Sequence, residues 1–169
     1  MKSKTIKLLL IAGVIVLLDQ FTKLLVLRYL PLYHSVAVIP GFFDLTHVQN
    51  PGGAFGFLSG SDPRLRSVVF LLLSFLAVGL ILWYYFKTPA THPYLAGAFG
   101  MIFGGAVGNL IDRVRFGKVT DFLDLYVGNL HWPAFNIADS AITIGIGIFL
   151  LNLLLKKMPE RITPRLAAG

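Results

Sequence analysis

A chain of 169 residues with 56% hydrophobic and only 14% charged side chains departs from soluble domains, which hold roughly 45–50% apolar and about 25% charged residues. The shortage of charge excludes disorder, and the absence of cysteine excludes a disulfide scaffold, thiol catalysis, thiolate metal sites and iron–sulfur clusters. The net charge of +7 gathers at the termini and beside apolar runs, which argues for membrane topology and contact with membrane phospholipid, and against nucleic acid.

A bilayer core needs about 20 mostly apolar residues per helix. Four segments qualify, at about residues 8–27, 67–86, 94–112 and 136–155, and residues 1–169 read as one polytopic membrane domain. Lys2, Lys4 and Lys7 precede the first apolar core, as in a cleaved leader. Small-x-small cleavage residues are missing after Leu18, however, and Asp19-Gln20 follows directly, so the segment reads as a retained span. An even number of spans puts both termini on one side. Basic residues divide eight to seven between the two sides, too close to decide. The N-terminal cluster therefore sets the reading, with both termini cytoplasmic. All seven Asp then lie at or beyond the outer ends of the helices, and the single Glu, Glu160, lies inside.

The first outer connection, residues 31–64, is rich in Pro and Gly and holds β-leaning stretches at Ser35–Ile39 and 42–48. These predict a small sheet or platform on the membrane surface. The second outer connection, residues 113–135, carries Phe122, Tyr126 and Trp132, aromatics suited to the membrane interface.

Polar residues inside the spans are the candidates for chemistry. An ionisable group at mid-bilayer costs roughly 2.5–3.5 kcal/mol on insertion scales, so it faces a cavity or a partner. Asp19 and Lys23 lie four apart on one helix face, either as an intrahelical pair snorkelling to the interface or as part of a site. In the third span Ala96, Gly100, Gly104 and Gly108 recur every fourth residue, a smooth stripe for helix packing. That span ends with Asn109, Asp112 and Arg113 on one side. They form either a polar cluster or an end whose Arg offsets the helix dipole. The fourth span opens with Asn136 and Asp139 on one face, and Asp121 lies eighteen residues before Asp139. Only a hairpin between spans three and four brings those two acids together. Two adjoining carboxylates near a low-dielectric boundary cannot both ionise easily, and a shared proton suits acid–base work. Four scattered His without a His-Glu-x-x-His spacing argue against a zinc protease.

The set of motifs resembles the lipoprotein signal peptidases (signal peptidase II). The matching pieces are Asp19-Gln20-Phe21-Thr22-Lys23, Asn50-Pro51-Gly52-Gly53-Ala54-Phe55, the run from Gly104 to Arg113, Val119-Thr120-Asp121-Phe122 and Phe135-Asn136-Ile137-Ala138-Asp139-Ser140. They stand in the family's order and spacing. The resemblance implies an all-α membrane protein, a four-transmembrane-helix bundle. A small β-rich extracytoplasmic platform (the family's β-cradle) would lie between helices 1 and 2, and a short amphipathic segment between helices 3 and 4. It implies an aspartyl endopeptidase of the bacterial cytoplasmic membrane, with its site near the outer face. The implied substrate is a diacylglyceryl-modified prolipoprotein, cut on the N-terminal side of the lipidated cysteine. By position Asp121 and Asp139 match the catalytic pair, and Asn50, Asn109, Arg113 and Asn136 match substrate- and inhibitor-contacting residues. Asp19, Lys23 and Asp112 match the supporting polar shell. Sensitivity to globomycin is likewise implied, with no metal, organic cofactor or obligate protein partner. Gly53 and Gly56 depart from residues common in the family without removing a catalytic group, and Asp124 reads as a solvated loop acid. The reading from another class is a small transporter or proton-conducting bundle with the Asp residues as relay groups.

Overall fold

The computed structural model describes residues 2–52, 62–87 and 93–155. Gly53, Ala54, Phe55 and Gly56, together with Glu160 and the basic residues beyond Leu155, lie outside the described residues. The elements run α1 (Lys2–Tyr29), β1 (Ser35–Ile39), β2 (Phe43–Asn50), α2 (Pro63–Lys87), α3 (Pro93–Phe116), β3 (Val119–Val127), β4 (Leu130–His131) and α4 (Ile137–Leu154). All four helices are long and apolar enough to cross a membrane.

Local chemistry sets the boundaries that matter for the polar end of the bundle. Asp62 caps α2, its Oδ1 accepting from the Arg64 and Leu65 amides at 2.8 and 3.1 Å, with Pro63 in the first turn where no donor is needed. At the other end of α3, Gly117 adopts φ +69° and its amide bonds back to the Arg113 carbonyl at 2.9 Å. A left-handed residue stops a helix, and glycine takes that conformation without a Cβ penalty. The chain is thereby turned from α3 into β3.

The helices alternate in direction, and α3 is central. Half of its most apolar window is buried, against none of α2's. Its small residues explain why: a Cβ at Gly104 would lie 2.9 Å from the Ala12 Cα, and one at Gly108 2.7 Å from Asp19 Oδ2. On the neighbouring face a Cβ at Gly105 would overlap the Ala138 carbonyl oxygen, and one at Gly145 would lie 2.8 Å from the Ala98 carbonyl oxygen. The stripe expected from the sequence thus seats α1, and a second small-residue contact seats α4. Leu8, Tyr85, Leu95, Ala96 and Phe99 form an apolar core at one end of the bundle. Large side chains such as Leu10, Leu17, Leu72 and Leu151 point outward, as expected where lipid is the solvent.

At the opposite end lies one antiparallel sheet in the order β1-β2-β3-β4. β1 and β2 answer the β-leaning stretches read in the first connection. The second connection differs from expectation. Where a short amphipathic segment is implied, β3 and β4 extend the same sheet. The reason is backbone pairing: once β2 presents a free edge, residues 119–125 add to it with Asn50↔Val119 and Phe43↔Leu125 as the outer pairs. Asp124 accordingly sits on a strand and not in a loop, opposite Asp44, with His131 Nδ1 at 3.0 Å.

A register shift in β2 bears on the site. Leu45 pairs with Leu123 but Val48 pairs with Asp121, so β2 carries one extra residue there. Had the register run straight through, Asp121 would face His47. With the bulge, Val48 and Asn50 share the face of Asp121.

Substituting Gly105→Ala is expected to lower the thermal midpoint in detergent, at a cost on the order of 1–3 kcal/mol from forced separation of α3 and α4. Gly147→Ala, where a Cβ meets nothing within 4 Å, should leave the midpoint where it is. Thermal unfolding of both variants checks the contrast.

Candidate active site

Six of the nine candidate residues come from three helices, and they meet at the sheet end of the bundle. Asp19 and Lys23 lie near the end of α1; Asn109, Asp112 and Arg113 lie in the last two turns of α3; Asp139 lies in the first turn of α4, after Asn136. Asn50 ends β2, and Asp121 is the third residue of β3.

Asn136 organises the two acids. It caps α4, with its Oδ1 accepting from the Asp139 amide at 3.0 Å, while Asp139 Oδ2 accepts from the Asn136 amide at 3.3 Å. This reciprocal box satisfies two of the helix's free N–H groups. The other half of the same amide, Nδ2, donates to Asp121 Oδ1 at 2.7 Å. One fully buried side chain therefore holds Asp139 through its oxygen and Asp121 through its nitrogen.

Each acid has a second asparagine. Asn50 Nδ2 donates to Asp121 Oδ2 at 3.0 Å, and Asn109 Nδ2 donates to Asp139 Oδ1 at 2.7 Å. Asn109 Oδ1 accepts from Lys23 Nζ at 3.0 Å and from Asn136 Nδ2 at 3.2 Å. All four carboxylate oxygens thus accept a neutral N–H.

Behind this layer lie buried charges. Lys23 is 2% exposed and its ammonium stands 2.9 Å from Asp19 and 3.0 Å from Asp112. It does not snorkel; the inward partner wins over the interface. Arg113 is half-buried, with Nη1 3.4 Å from the Asn109 carbonyl oxygen. It stands in the field of Asp139, Asp121 and Asp112 without an ion pair to any of them among the described residues.

Burial pushes the Asp121 carboxyl up to about 7, and the negative field of Asp139 adds to the shift. The Asn50 and Asn136 hydrogen bonds and the Lys23 ammonium oppose it. A carboxyl that holds its proton near neutrality beside a second carboxylate is a candidate acid–base pair.

Residues 11–155 match the family described as Signal peptidase (SPase) II. The chain belongs to the signal peptidase II family. It is 52% identical over 155 residues to a lipoprotein signal peptidase of Desulforapulum autotrophicum, covering 92% of this chain and 96% of the relative. A lipoprotein signal peptidase of Syntrophus aciditrophicus is 46% identical over 161 residues, covering 95% and 99%. A bacterial membrane enzyme solved by the in meso method superposes with a TM-score of 0.79 at 31% identity, over 96% of this chain and 94% of that one. With four helices able to cross a membrane among the described residues, and with bacterial relatives, this signal peptidase II family member is a bacterial membrane protein.

Some groups around the site were not singled out from the sequence. Gln20 Nε2 lies 3.1 Å from both Asp19 Oδ2 and Asp112 Oδ1 and bridges the two acids. The Ala138 and Thr120 amides donate to Asp19 and Asp112 at 2.9 and 3.0 Å. Gln20 had a signal, since it lies beside Asp19 in one of the matched motifs. The two amides had none, because a backbone donor is silent in sequence.

Asn136→Ala should destabilise the protein by roughly 2–4 kcal/mol, about 1 from the lost N-cap and about 1–3 from the buried Asp121 carboxyl left without its Nδ2 donor. Asn136→Ser restores the capping oxygen but not that donor and should recover only the cap's share, which thermal unfolding of the pair in detergent measures.

Proposed function

We propose that this chain is a membrane aspartyl endopeptidase that removes the signal peptide from diacylglyceryl-modified prolipoproteins, cutting on the N-terminal side of the lipidated cysteine. The observation that carries the reading is the pair Asp121 and Asp139 bridged by Asn136, with the Asp121 carboxyl near neutrality. The names of the relatives support the substrate class.

In this reading both termini are cytoplasmic and residues 31–64 and 113–135 lie on the outer side of the bacterial cytoplasmic membrane. The substrate's acyl chains stay in lipid and its signal helix enters beside the bundle. The scissile peptide lies between the two carboxylates. Asp121 holds the proton and Asp139 is ionised. Water attacks the carbonyl carbon, giving its proton to Asp139, while Asp121 protonates the carbonyl oxygen to form a gem-diol. Asp139 then passes its proton to the amide nitrogen and Asp121 takes one back from a gem-diol hydroxyl, so that the C–N bond breaks to a carboxylic acid and an amine and the pair returns to its starting state. Arg113, with Asn50 and Asn109, holds the substrate's backbone carbonyls, while the fully buried Asn136 positions the two acids. The chemistry needs no cofactor, and blockage by globomycin is expected.

A transporter is disfavoured by the position of the acids. Asp19, Asp112, Asp121 and Asp139 gather at the sheet end, while the far end of the bundle is the Leu8–Phe99 core, so among the described residues no relay of carboxylates runs through the membrane depth.

Asp121→Asn and Asp139→Asn should fold, insert and lose cleavage of a synthetic diacylglyceryl-cysteine prolipoprotein peptide followed by mass; near-full activity in either would sink the assignment. For the wild type, kcat/KM should fall as pH rises through about 7. Asp121 is protonated below that value and ionised above it, so the acid is lost on the alkaline side. Burial sets this limb first, with Asp139 from α4 raising it and Lys23 from α1 opposing. A pH–rate profile measures it.

A further inference from the structure

We propose that the buried Asp19–Lys23–Asp112 triad is a clamp that sets the spacing between Asp121 and Asp139, which makes Lys23 a positioning residue for cleavage. The inference rests on the catalytic reading of those two acids and names what fixes their separation.

Each flanking acid of the triad grips the backbone one residue before a candidate catalytic aspartate. Asp19 Oδ1 accepts the Ala138 amide at 2.9 Å, immediately before Asp139. Asp112 Oδ2 accepts the Thr120 amide at 3.0 Å, immediately before Asp121. Lys23 Nζ joins Asp19 Oδ2 at 2.9 Å to Asp112 Oδ2 at 3.0 Å. A continuous path therefore runs Ala138, Asp19, Lys23, Asp112, Thr120, tying the first turn of α4 to the start of β3. Gln20 bridges the same two acids in parallel.

The ammonium has three donors, and the third goes to Asn109 Oδ1 at 3.0 Å. That bond fixes which way the Asn109 amide faces, and so aims its Nδ2 at Asp139 Oδ1. Lys23 thus acts on Asp139 twice, through the backbone and through Asn109. With the cation removed, Asp19 and Asp112 remain as two buried acids near one another. Repulsion or protonation would move them apart and carry Ala138 and Thr120 with them. Gly108 is part of the device, since a Cβ there would stand 2.7 Å from Asp19 Oδ2.

The test uses the full-length protein in detergent with Lys23→Met and, as a second variant that keeps side-chain shape, Asp112→Asn. In Lys23→Met, kcat should fall about 100-fold with KM within about twofold of wild type, the mark of misplaced reacting groups and not of lost binding. Amide hydrogen exchange of Ala138 and Thr120 should lose protection in the same variant. Asp112→Asn should deprotect Thr120 while Ala138 stays protected, and lower kcat in the same direction. If Lys23→Met fails to fold, Asp112→Asn decides alone. Wild-type kcat in the folded variants, or both amides as protected as in the wild type, overturns the clamp. A rise in KM alone overturns it too. Should the wild type cut no lipidated peptide, the proposed function falls, and the exchange of the two amides still decides the clamp.

Discussion

Three ionised groups buried among membrane helices impose the main constraint on this molecule. Asp19, Lys23 and Asp112 are each at most 2% exposed, and desolvating an ion costs several kcal/mol even after relaxation. Such a cost is met only if every lone pair and proton finds a partner. The partners come from four elements: Gln20 from α1, Asn109 from α3, the Thr120 amide from β3 and the Ala138 amide at the start of α4. Satisfying the charges therefore fixes how three helices and a strand sit together. The candidate active site is built on that junction.

Such contacts require backbones closer than ordinary side chains permit. Lipid supplies no hydrophobic force between helices, so association relies on packing and polar bonds. Gly104 admits Ala12, Gly108 admits the Asp19 carboxylate, and Gly105 admits the Ala138 carbonyl. The large apolar residues are left for the Leu8–Phe99 core and for the lipid-facing surfaces. Small residues bring the polar end together and aromatic residues fill the apolar end.

What the sequence made legible follows from the range of each interaction. Four apolar runs and the small-residue stripe are local patterns, and they read correctly as helices long and apolar enough to cross a membrane and as a packing face. The partner of the stripe was not legible, because nothing in Gly100, Gly104 and Gly108 names α1. β3 was misjudged for a similar reason. Val119-Thr120-Asp121-Phe122-Leu123-Asp124-Leu125-Tyr126-Val127 has no clean polar–apolar alternation, and its strand state depends on β2 lying alongside. The motifs marked Asn136 as a contact residue; its cap is local to the first turn of α4, but its bridge to Asp121 depends on the chain reversal through the sheet. The bulge in β2, which puts Asn50 on the face of Asp121, leaves no trace in residue type.

The way the two acids are held suits the catalytic role proposed for them, which asks that they be both fixed and able to exchange protons. A carboxylate has about four lone-pair sites, and each oxygen of Asp121 and Asp139 accepts one hydrogen bond, from Asn136, Asn50, Asn109 or the Asn136 amide. The planes of both groups are set, and every oxygen retains a lone pair for water or substrate. All four donors are neutral. A cation in direct contact would hold a carboxylate ionised and oppose the proton traffic that the proposed chemistry requires. Lys23 is instead kept one side chain away, reaching the Asp139 carboxylate through the Asn109 amide. Its charge is spent on Asp19 and Asp112, where it organises the scaffold, and the weaker field that reaches Asp121 leaves that carboxyl near neutrality. Separating the ion pair from the proposed catalytic pair by one layer of asparagine is what lets the same buried cluster be rigid and titratable.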